Sequence, residues 1–286
     1  MYEAKAMGRN GFRAYQGQLS YDPVALSMEH ELRRAIDGGE LTLYFQPQVK
    51  IANQEICGME ALVRWVHPER GMISPMDFIP LAESCGLIPR LGEWVMRAAC
   101  RQLRVWNDCG FTQIRMSINV SALQFHDPDF MRILQSTLID TEVDPHFVEL
   151  ELTESVLMHN VDGVLDILKA IRELGVGLAI DDFGTGFSSL NYLRLFPINR
   201  LKIDQSFVRD IERTPANESI TRAIIALAGS LSLDIVAEGI ENHSEKNILE
   251  NLGCTEGQGY LFARPLPAAD IDRWLEQNQQ KTSVRG

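Results

Sequence analysis

The sequence predicts an α/β fold: a modified (β/α)8, or TIM, barrel whose first strand runs antiparallel to its neighbours. Three observations support this prediction. Strand-like segments alternate with amphipathic helices along most of the 286 residues, and about 250 residues is typical of one such barrel. Several strands end in a carboxylate or a carboxamide, as at Glu60 and Asn119. Only residues 50–54 separate the first two strands, a gap that permits a hairpin but no crossover.

The elements follow in chain order. Residues 24–37 are predicted to form an amphipathic helix, which the pair Gly38 and Gly39 ends. Eight strands are predicted at residues 41–49, 55–65, 114–119, 148–152, 176–182, 200–204, 234–238 and 258–262. Helices with one apolar stripe each are predicted at 87–107, 127–138, 161–174, 216–231 and 243–252. Eight strands joined by crossover helices of this kind close a barrel.

Composition limits the function classes. The net charge of −12 argues against a nucleic-acid polymer as partner, since such binding needs a basic face. An anionic substrate remains possible, because bound cations can invert the local field. The five cysteines are scattered and odd in number, which indicates a reduced, cytoplasmic domain without a disulfide or zinc site. No apolar run approaches the roughly 20 residues that a spanning helix needs.

The acids at the strand ends predict an oxygen-lined mouth at the carboxyl face of the barrel. Four successive strands end in oxygen ligands, at Glu60, Asn119, Glu151 and Asp181. Three carboxylates and one amide oxygen suit Mg²⁺ or Mn²⁺. Asp181 can bridge to a second ion, whose shell Asp182 and Glu238 would complete. A metal pair about 4 Å apart can activate a water and polarise a phosphodiester at once. The alternative interpretation is that these residues are unrelated surface acids.

Two basic residues accompany these acids. Lys202 alternates with Asp204 on one strand, so both side chains point to the same side. A lysine in an acidic mouth would stay charged and could hold the attacking water or the developing phosphorane charge; the alternative is a plain pair with Asp204. Arg64 is placed to meet a phosphate oxygen with its planar fork, and the alternative for Arg64 is a salt bridge.

A glycine-containing loop follows the paired aspartates. Gly184 and Gly186 predict mobility for residues 183–190, and Ser188 or Ser189 is predicted to cap the next helix. This segment does not match a P-loop.

Together these residues resemble a known family. Glu60-Ala61-Leu62, followed by Arg64-Trp65, is similar to the motif that names the EAL domains, the cyclic di-GMP phosphodiesterases. The likeness covers about residues 24–275 and includes further motifs in the same order. These are YFQP at 44–47, INVS at 118–121, ELELTES at 149–155, DDFGTG at 181–186, LKID at 201–204, AEG at 237–239 and QGY at 258–260.

The resemblance implies hydrolysis of one phosphodiester bond of cyclic di-GMP to linear pGpG, with two ions of Mg²⁺ or Mn²⁺ activating the water. Ca²⁺ is expected to inhibit. By similarity, one ion is held by Glu60, Asn119, Glu151 and Asp181, and the second by Asp181, Asp182 and Glu238. Glu238 would act as general base and Lys202 would orient the water. Residues expected to contact or support the substrate are Gln46, Leu62, Arg64, Asp204 and Gln258.

The resemblance also concerns regulation. Glu154 would brace the loop that contains Phe183, Gly184, Thr185 and Gly186, which the family links to dimerisation and activation. Two departures from the family pattern, Phe187 for tyrosine and Asn242 for threonine, remove no ligand.

The resemblance further suggests a domain organisation. Residues 1–16, with MYEAK and GRN, resemble the last helix of a GGDEF (diguanylate cyclase-type) domain. Residues 17–23 would be a linker and residues 24–286 the EAL domain. We expect a cytoplasmic homodimer. We also expect the chain to come from a GGDEF–EAL tandem protein with sensory domains upstream, and those upstream domains could anchor the full-length protein in a membrane.

Two other functions stay open. A cyclic di-GMP receptor would bind without turnover and signal through protein partners, although the intact ligand set disfavours it. A barrel enzyme of the enolate type, with Lys202 as base, would need a second base that no sequence feature supplies.

Overall fold

The computed structural model describes residues 23–157, 161–185 and 190–284. The predicted remnant helix at 1–16 and almost all of the predicted linker lie outside these ranges, as do Gly186, Phe187, Ser188 and Ser189.

The described chain contains helices and strands in this order: α1 (Pro23–Gly38), β1 (Leu41–Lys50), β2 (Ile56–His67), β3 (Gly71–Ile73), α2 (Pro75–Ser84), α3 (Ile88–Asp108), β4 (Arg115–Val120), α4 (Ala122–Phe125), α5 (Phe130–Thr141), a 3₁₀ turn (Pro145–Phe147), β5 (Val148–Thr153), α6 (Glu154–Leu157), α7 (Val161–Glu173), β6 (Gly177–Phe183), α8 (Leu190–Leu193), β7 (Arg200–Ile203), α9 (Gln205–Val208), α10 (Pro215–Ser230), β8 (Asp234–Ala237), α11 (His243–Asn251), β9 (Glu256–Gln258), β10 (Leu266–Pro267) and α12 (Ala268–Val284).

Eight of these strands close a barrel in the order β1, β2, β4, β5, β6, β7, β8 and β9, and β9 pairs back to β1. Neighbouring strands in the series β2, β4, β5, β6, β7, β8 and β9 are parallel to one another. β1 is antiparallel to both of its barrel neighbours. The prediction of a (β/α)8 barrel with an antiparallel first strand is therefore confirmed. The short strands β3 and β10 add antiparallel pairs to β2 and β1.

The eighth predicted strand was misplaced. Residues 258–262 were expected to be extended, but β9 ends at Gln258. The amides of Phe262 and Ala263 both donate to the Gly259 carbonyl, which closes a turn there. A Cβ at position 259 would collide with the Ile240 backbone, so only glycine permits this approach. Asp204 and Glu238 likewise lie one residue beyond the ends of β7 and β8.

A buried ionic network closes the amino-terminal end of the barrel. Glu149 Oε2 accepts a hydrogen bond from Arg200 Nε at 3.0 Å, and Glu149 Oε1 lies 3.0 Å from Arg115 Nε in an ion pair. Glu256 Oε2 lies 2.9 Å from Arg115 Nη2 and 2.8 Å from Arg200 Nη1. These residues stand at or near the first positions of β4, β5, β7 and β9. The opposite charges of this network are paired with one another. We therefore expect a ligand to bind at the other, carboxyl end of the barrel.

No helix within the described ranges is long and apolar enough to cross a membrane.

Candidate active site

The carboxyl ends of neighbouring strands bring the predicted ligands into one group. Asn119 lies directly opposite Glu151 in the β4–β5 register. Asn119 Nδ2 donates a hydrogen bond to Glu60 Oε1 at 2.7 Å. The Glu151 side chain is fully buried, and its Oε1 atom has no hydrogen-bond partner among the described residues. A buried carboxylate oxygen without a donor is costly, so this position suits a cation.

Lys202 occupies the centre of the group. Its Nζ lies 2.7 Å from Glu151 Oε2, 3.0 Å from Asp181 Oδ1 and 2.6 Å from Glu238 Oε1. Glu60 Oε2 is 4.0 Å away. Lys202 therefore pairs with the acids of three strand ends rather than with Asp204. Burial alone would lower the pKa of Lys202, but the surrounding carboxylates raise it well above its ordinary value, so the ammonium stays charged.

One lysine does not neutralise the acids around it. Burial, followed by the charges of Glu60 and Asp181, raises the pKa of Glu151 well above its ordinary value, although Lys202 opposes the shift. Burial and the charge of Asp181 raise the pKa of Glu238 to about 8, again against Lys202. Carboxylates that repel one another in this way bind a divalent cation readily.

Asp182 reaches the same mouth through an irregular backbone. Its φ of 53° is left-handed, and the β6–β7 register shifts between Ile180 and Phe183. The Asp182 carbonyl accepts from Thr185 Oγ1 at 2.8 Å, and its amide donates to Asp181 Oδ1 at 3.0 Å. Burial and the charges of Asp181 and Asp204 raise the pKa of Asp182 to about 6.

This bulge places carboxylate oxygens from Asp181, Asp182 and Glu238 within 4.8 Å of one another. Three hard oxygen donors at that spacing fit a Mg²⁺ or Mn²⁺ ion. The donor set is also the one that the sequence suggested for a second ion.

A cleft of about 340 Å³ opens beside the acids, and Gln46, Leu62 and Gln258 line it. Gln258 Nε2 donates to Glu60 Oε2 and, at 3.0 Å, to Gln46 Oε1. Gln46 Nε2 in turn donates to the Ala263 carbonyl at 3.2 Å. The two glutamines therefore hold Glu60 in place, and both are nearly buried.

Arg64 and Asp204 lie at the edge of the group. The Arg64 guanidinium lies 5.6 Å from the centroid of the Tyr44 ring, and its Nη1 donates to the Val63 carbonyl at 2.8 Å. Asp204 caps α9, where its Oδ1 accepts from the Ser206 amide at 3.1 Å.

Glu154 begins α6 directly after β5 and is only 6% exposed. Neither of its carboxylate oxygens has a hydrogen-bond partner among the described residues. Phe183 is buried, and Gly184 has a φ of 99° and packs against Phe207, which a Cβ would meet at 3.0 Å. Thr185 holds the Asp182 carbonyl as described above.

Besides Gly239 and Gly259, four residues of the cleft had no site role in the sequence analysis: Gln205, Arg209, Glu241 and Tyr260. Arg209 and Glu241 carry charges on segments that the chain separates widely, so no spacing pattern joins them. Tyr260 fell inside the misplaced strand. Gln205 lies close to Gly239: a Cβ added at Gly239 would meet the Gln205 Cβ at 2.5 Å. This proximity is likewise visible only in the fold.

The chain is similar in sequence and fold to known proteins. A family model described as the EAL domain matches residues 29–265. The chain is 42% identical over 272 residues to the bifunctional diguanylate cyclase/cyclic di-GMP phosphodiesterase MucR of Pseudomonas aeruginosa, which covers 95% of this chain and 40% of that protein. It is 40% identical over 278 residues to the cyclic di-GMP phosphodiesterase PdeR of Escherichia coli, covering 97% of this chain and 42% of that protein.

A solved structure is also similar. The PaMucR phosphodiesterase in complex with c-di-GMP superposes with a TM-score of 0.83 at 42% identity, covering 86% of this chain and 99% of that chain. The chain spans about two fifths of the length of the two curated relatives.

Proposed function

The chain belongs to the EAL domain family, and on that basis we propose that it hydrolyses cyclic di-GMP to linear pGpG. The observation that best supports this proposal is the buried group in which Lys202 contacts Glu151, Asp181 and Glu238 within 3.0 Å. Two divalent cations, Mg²⁺ or Mn²⁺, would polarise the phosphodiester and activate the water.

The donor set divides between two ions. Glu60, Asn119, Glu151 and Asp181 would hold the first. Glu151 Oε1, which has no hydrogen-bond partner in the described part of the chain, is available to that ion. Asp181, Asp182 and Glu238 would hold the second, since their oxygens lie within 4.8 Å.

The remaining residues act on the water and the substrate. Glu238 would act as general base; its Oε1 lies 2.6 Å from Lys202 Nζ, the group that would orient the water. The Lys202 ammonium would orient the water and stabilise charge on the phosphorus oxygens. Arg64 would contact the dinucleotide with its guanidinium, and Leu62 would line the cleft for it. Gln46, Gln258 and Asp204 would hold the surrounding side chains in place.

Regulation would act through the loop after β6. Neither carboxylate oxygen of the buried Glu154 has a hydrogen-bond partner among the described residues, and the loop begins at Asp182, a proposed ligand of the second ion. We propose that a homodimer contact orders this loop, from Phe183 through Gly186, against Glu154. Upstream GGDEF-type and sensory domains would control that contact in a longer protein.

The test is incubation of the purified chain with cyclic di-GMP and Mg²⁺, with identification of the product by liquid chromatography and mass spectrometry. We expect pGpG, and we expect Glu60→Ala and Asp181→Ala to abolish turnover because each leaves an ion short of a ligand. Glu55→Ala is the matched control, since the half-exposed Glu55 side chain pairs with Lys50 and Asn53 on the surface among the described residues.

Normal turnover by Glu60→Ala or Asp181→Ala would contradict the two-ion proposal. Tight binding of cyclic di-GMP without any product would favour the receptor function instead.

A further inference from the structure

The inward faces of two barrel strands carry charged residues in two layers, one above the other. Side chains two residues apart on a strand share a face and lie about 6.6 Å apart along it. Glu149 precedes Glu151 on β5 in this way, and Arg200 precedes Lys202 on β7. Barrels of this class usually fill their interior with branched apolar side chains. Here an ionic layer lies directly below the acid group at the mouth.

Each layer contains one ion pair that joins β5 to β7. In the lower layer, Arg200 Nε donates to Glu149 Oε2 at 3.0 Å. In the upper layer, Lys202 Nζ donates to Glu151 Oε2 at 2.7 Å. All four residues are at most 5% exposed. We call Glu149–Arg200 the lower pair and Glu151–Lys202 the upper pair. The same two strands therefore hold both pairs, and a change in the stagger of these strands affects both.

Both pairs reach across β6, the strand that carries Asp181. β6 lies between β5 and β7 in the sheet. Below Asp181, its inward positions hold only Ala179 and Gly177. A Cβ added at Gly177 would already come within 3.4 Å of the Glu149 side chain. These small residues leave the room in which the lower pair crosses the strand.

The lower pair is bonded in turn to neighbouring strands. Ser117 Oγ on β4 donates to Glu149 Oε1 at 3.1 Å. Arg200 Nη1 donates to Glu256 Oε2 on β9 at 2.8 Å, and Arg115 Nη2 donates to the same oxygen at 2.9 Å. Directional bonds to four strands leave β5 and β7 little freedom to slide past one another.

The upper layer needs such support because its acids repel one another. Glu151, Asp181 and Glu238 meet at the single ammonium group of Lys202. Like charges in an interior that solvent screens only weakly push the strands that carry them apart. A slide of β7 along β5 would change all three distances from Lys202 at once, and with them the spacing of the carboxylates that would hold the ions.

We propose that Glu149 and Arg200 are positioning residues for the metal site. By fixing the stagger of β5 against β7, the lower pair sets the height at which Lys202 meets Glu151. This inference rests on the proposed function, since it concerns the ions that hydrolysis would use. The alternative is that the lower pair contributes stability alone, as residues at the amino-terminal face of such a barrel usually do.

Arg200→Met removes the lower pair and tests the proposal. Loss of the outer partners of metal ligands typically costs 10–100-fold in metal affinity or activity. We therefore expect the Kd of the metal-free protein for Mn²⁺, measured by calorimetry without substrate, to rise about tenfold, and kcat for cyclic di-GMP to fall about tenfold. KM should stay within about twofold, because the described lining of the cleft does not include Arg200.

Two controls separate position from stability. Asp234→Asn removes an exposed partner of the same guanidinium, whose Nη2 lies 3.3 Å from Asp234 Oδ2, and leaves the lower pair intact. Leu103→Ala opens a cavity at a fully buried position of α3 and lowers the melting temperature from outside the barrel interior. Both variants should keep the wild-type Kd for Mn²⁺ and the wild-type kcat.

Arg200→Lys carries the test if Arg200→Met does not fold. Lysine keeps the buried positive charge, but one ammonium cannot replace the planar fork that bonds Glu149 and Glu256 together. We expect the Kd for Mn²⁺ to rise about threefold or more in this variant, with the melting temperature lowered less than in Leu103→Ala.

Each outcome decides between the claims. A wild-type Kd for Mn²⁺ in Arg200→Lys, or a Kd raised as much in Leu103→Ala as in the Arg200 variants, would overturn the positioning role and leave the proposed hydrolysis intact. A wild-type chain that binds Mn²⁺ without cleaving cyclic di-GMP would overturn the proposed function, while the Mn²⁺ affinities would still decide on the lower pair. A wild-type chain that binds no Mn²⁺ would overturn both.

Discussion

Replacement of Lys202 by methionine tests how the acid group is held together. Methionine keeps the apolar stem and removes the charge, leaving Glu151, Asp181 and Glu238 without the ammonium that now lies 2.6–3.0 Å away. The Lys202 side chain is 1% exposed, so solvent screens its contacts with these acids only weakly. Loss of one member of a buried pair costs about 3–5 kcal/mol, because the partner charge stays buried.

We expect the metal-free Lys202→Met domain to lose that amount of unfolding free energy at pH 8, measured by urea denaturation with circular dichroism. The loss should be smaller at pH 5, where the raised pKa values let Glu151 and Glu238 take up protons. Divalent ions should restore part of the stability, about 2.7 kcal/mol when present at 100 times their Kd.

Lys50→Met is the matched control. Lys50 Nζ lies 2.7 Å from Glu55 Oε2, the same distance as in the Lys202–Glu151 pair, but both side chains are about half exposed. Its loss should cost about 0–1 kcal/mol. A Lys202→Met domain no less stable than Lys50→Met would refute the view that burial makes the central lysine essential.

Three further predictions concern pH, metal identity and the loop. The unfolding free energy of the metal-free wild-type domain should fall as pH rises from about 5 to about 8. Over that window the folded state retains protons on Asp182 and Glu238 that the unfolded chain has released. Millimolar Mg²⁺ or Mn²⁺ should reduce this pH dependence and raise the melting temperature. A stability that rises with pH in calorimetric scans would contradict proton retention on these two acids as its cause. Ca²⁺ should support cyclic di-GMP binding but little hydrolysis, because it prefers more ligands and longer bonds than Mg²⁺. Equal hydrolysis rates with Ca²⁺ and Mg²⁺ would contradict the argument that the geometry of the ion pair controls the rate. Glu154→Ala should keep the fold and some substrate binding yet lose most turnover. Full activity with a lowered melting temperature would instead make Glu154 a capping residue only.

Parts of the fold could be predicted because local constraints decide them. The residues between β1 and β2 are too few for a crossover, so the antiparallel first strand follows from the sequence alone. The apolar run Tyr260-Leu261-Phe262 is typical of a strand, and only the close approach of Gly259 to Ile240 makes it a turn. That contact is tertiary and leaves no periodic signal.

The site shows the same division. Acids at successive strand ends must share one face of a parallel barrel, which is why Glu60, Glu151 and Asp181 could be grouped. The partners of Lys202 could not be predicted, since the stagger between strands decides which carboxylates its Nζ reaches. The left-handed backbone of Asp182 and the link from Glu245 to Asp210 likewise depend on contacts between distant segments.

The central claim is that the acid group at the barrel mouth directs a water at cyclic di-GMP with the help of divalent ions. Turnover of metal-stripped protein in H₂¹⁸O, with and without added Mg²⁺, tests it most directly. Attack of water on phosphorus with departure of the 3′-oxygen predicts pGpG with one ¹⁸O in its terminal phosphate, formed only when Mg²⁺ is present. Unlabelled product, product formed equally well without a divalent ion, or no product at all would contradict the claim.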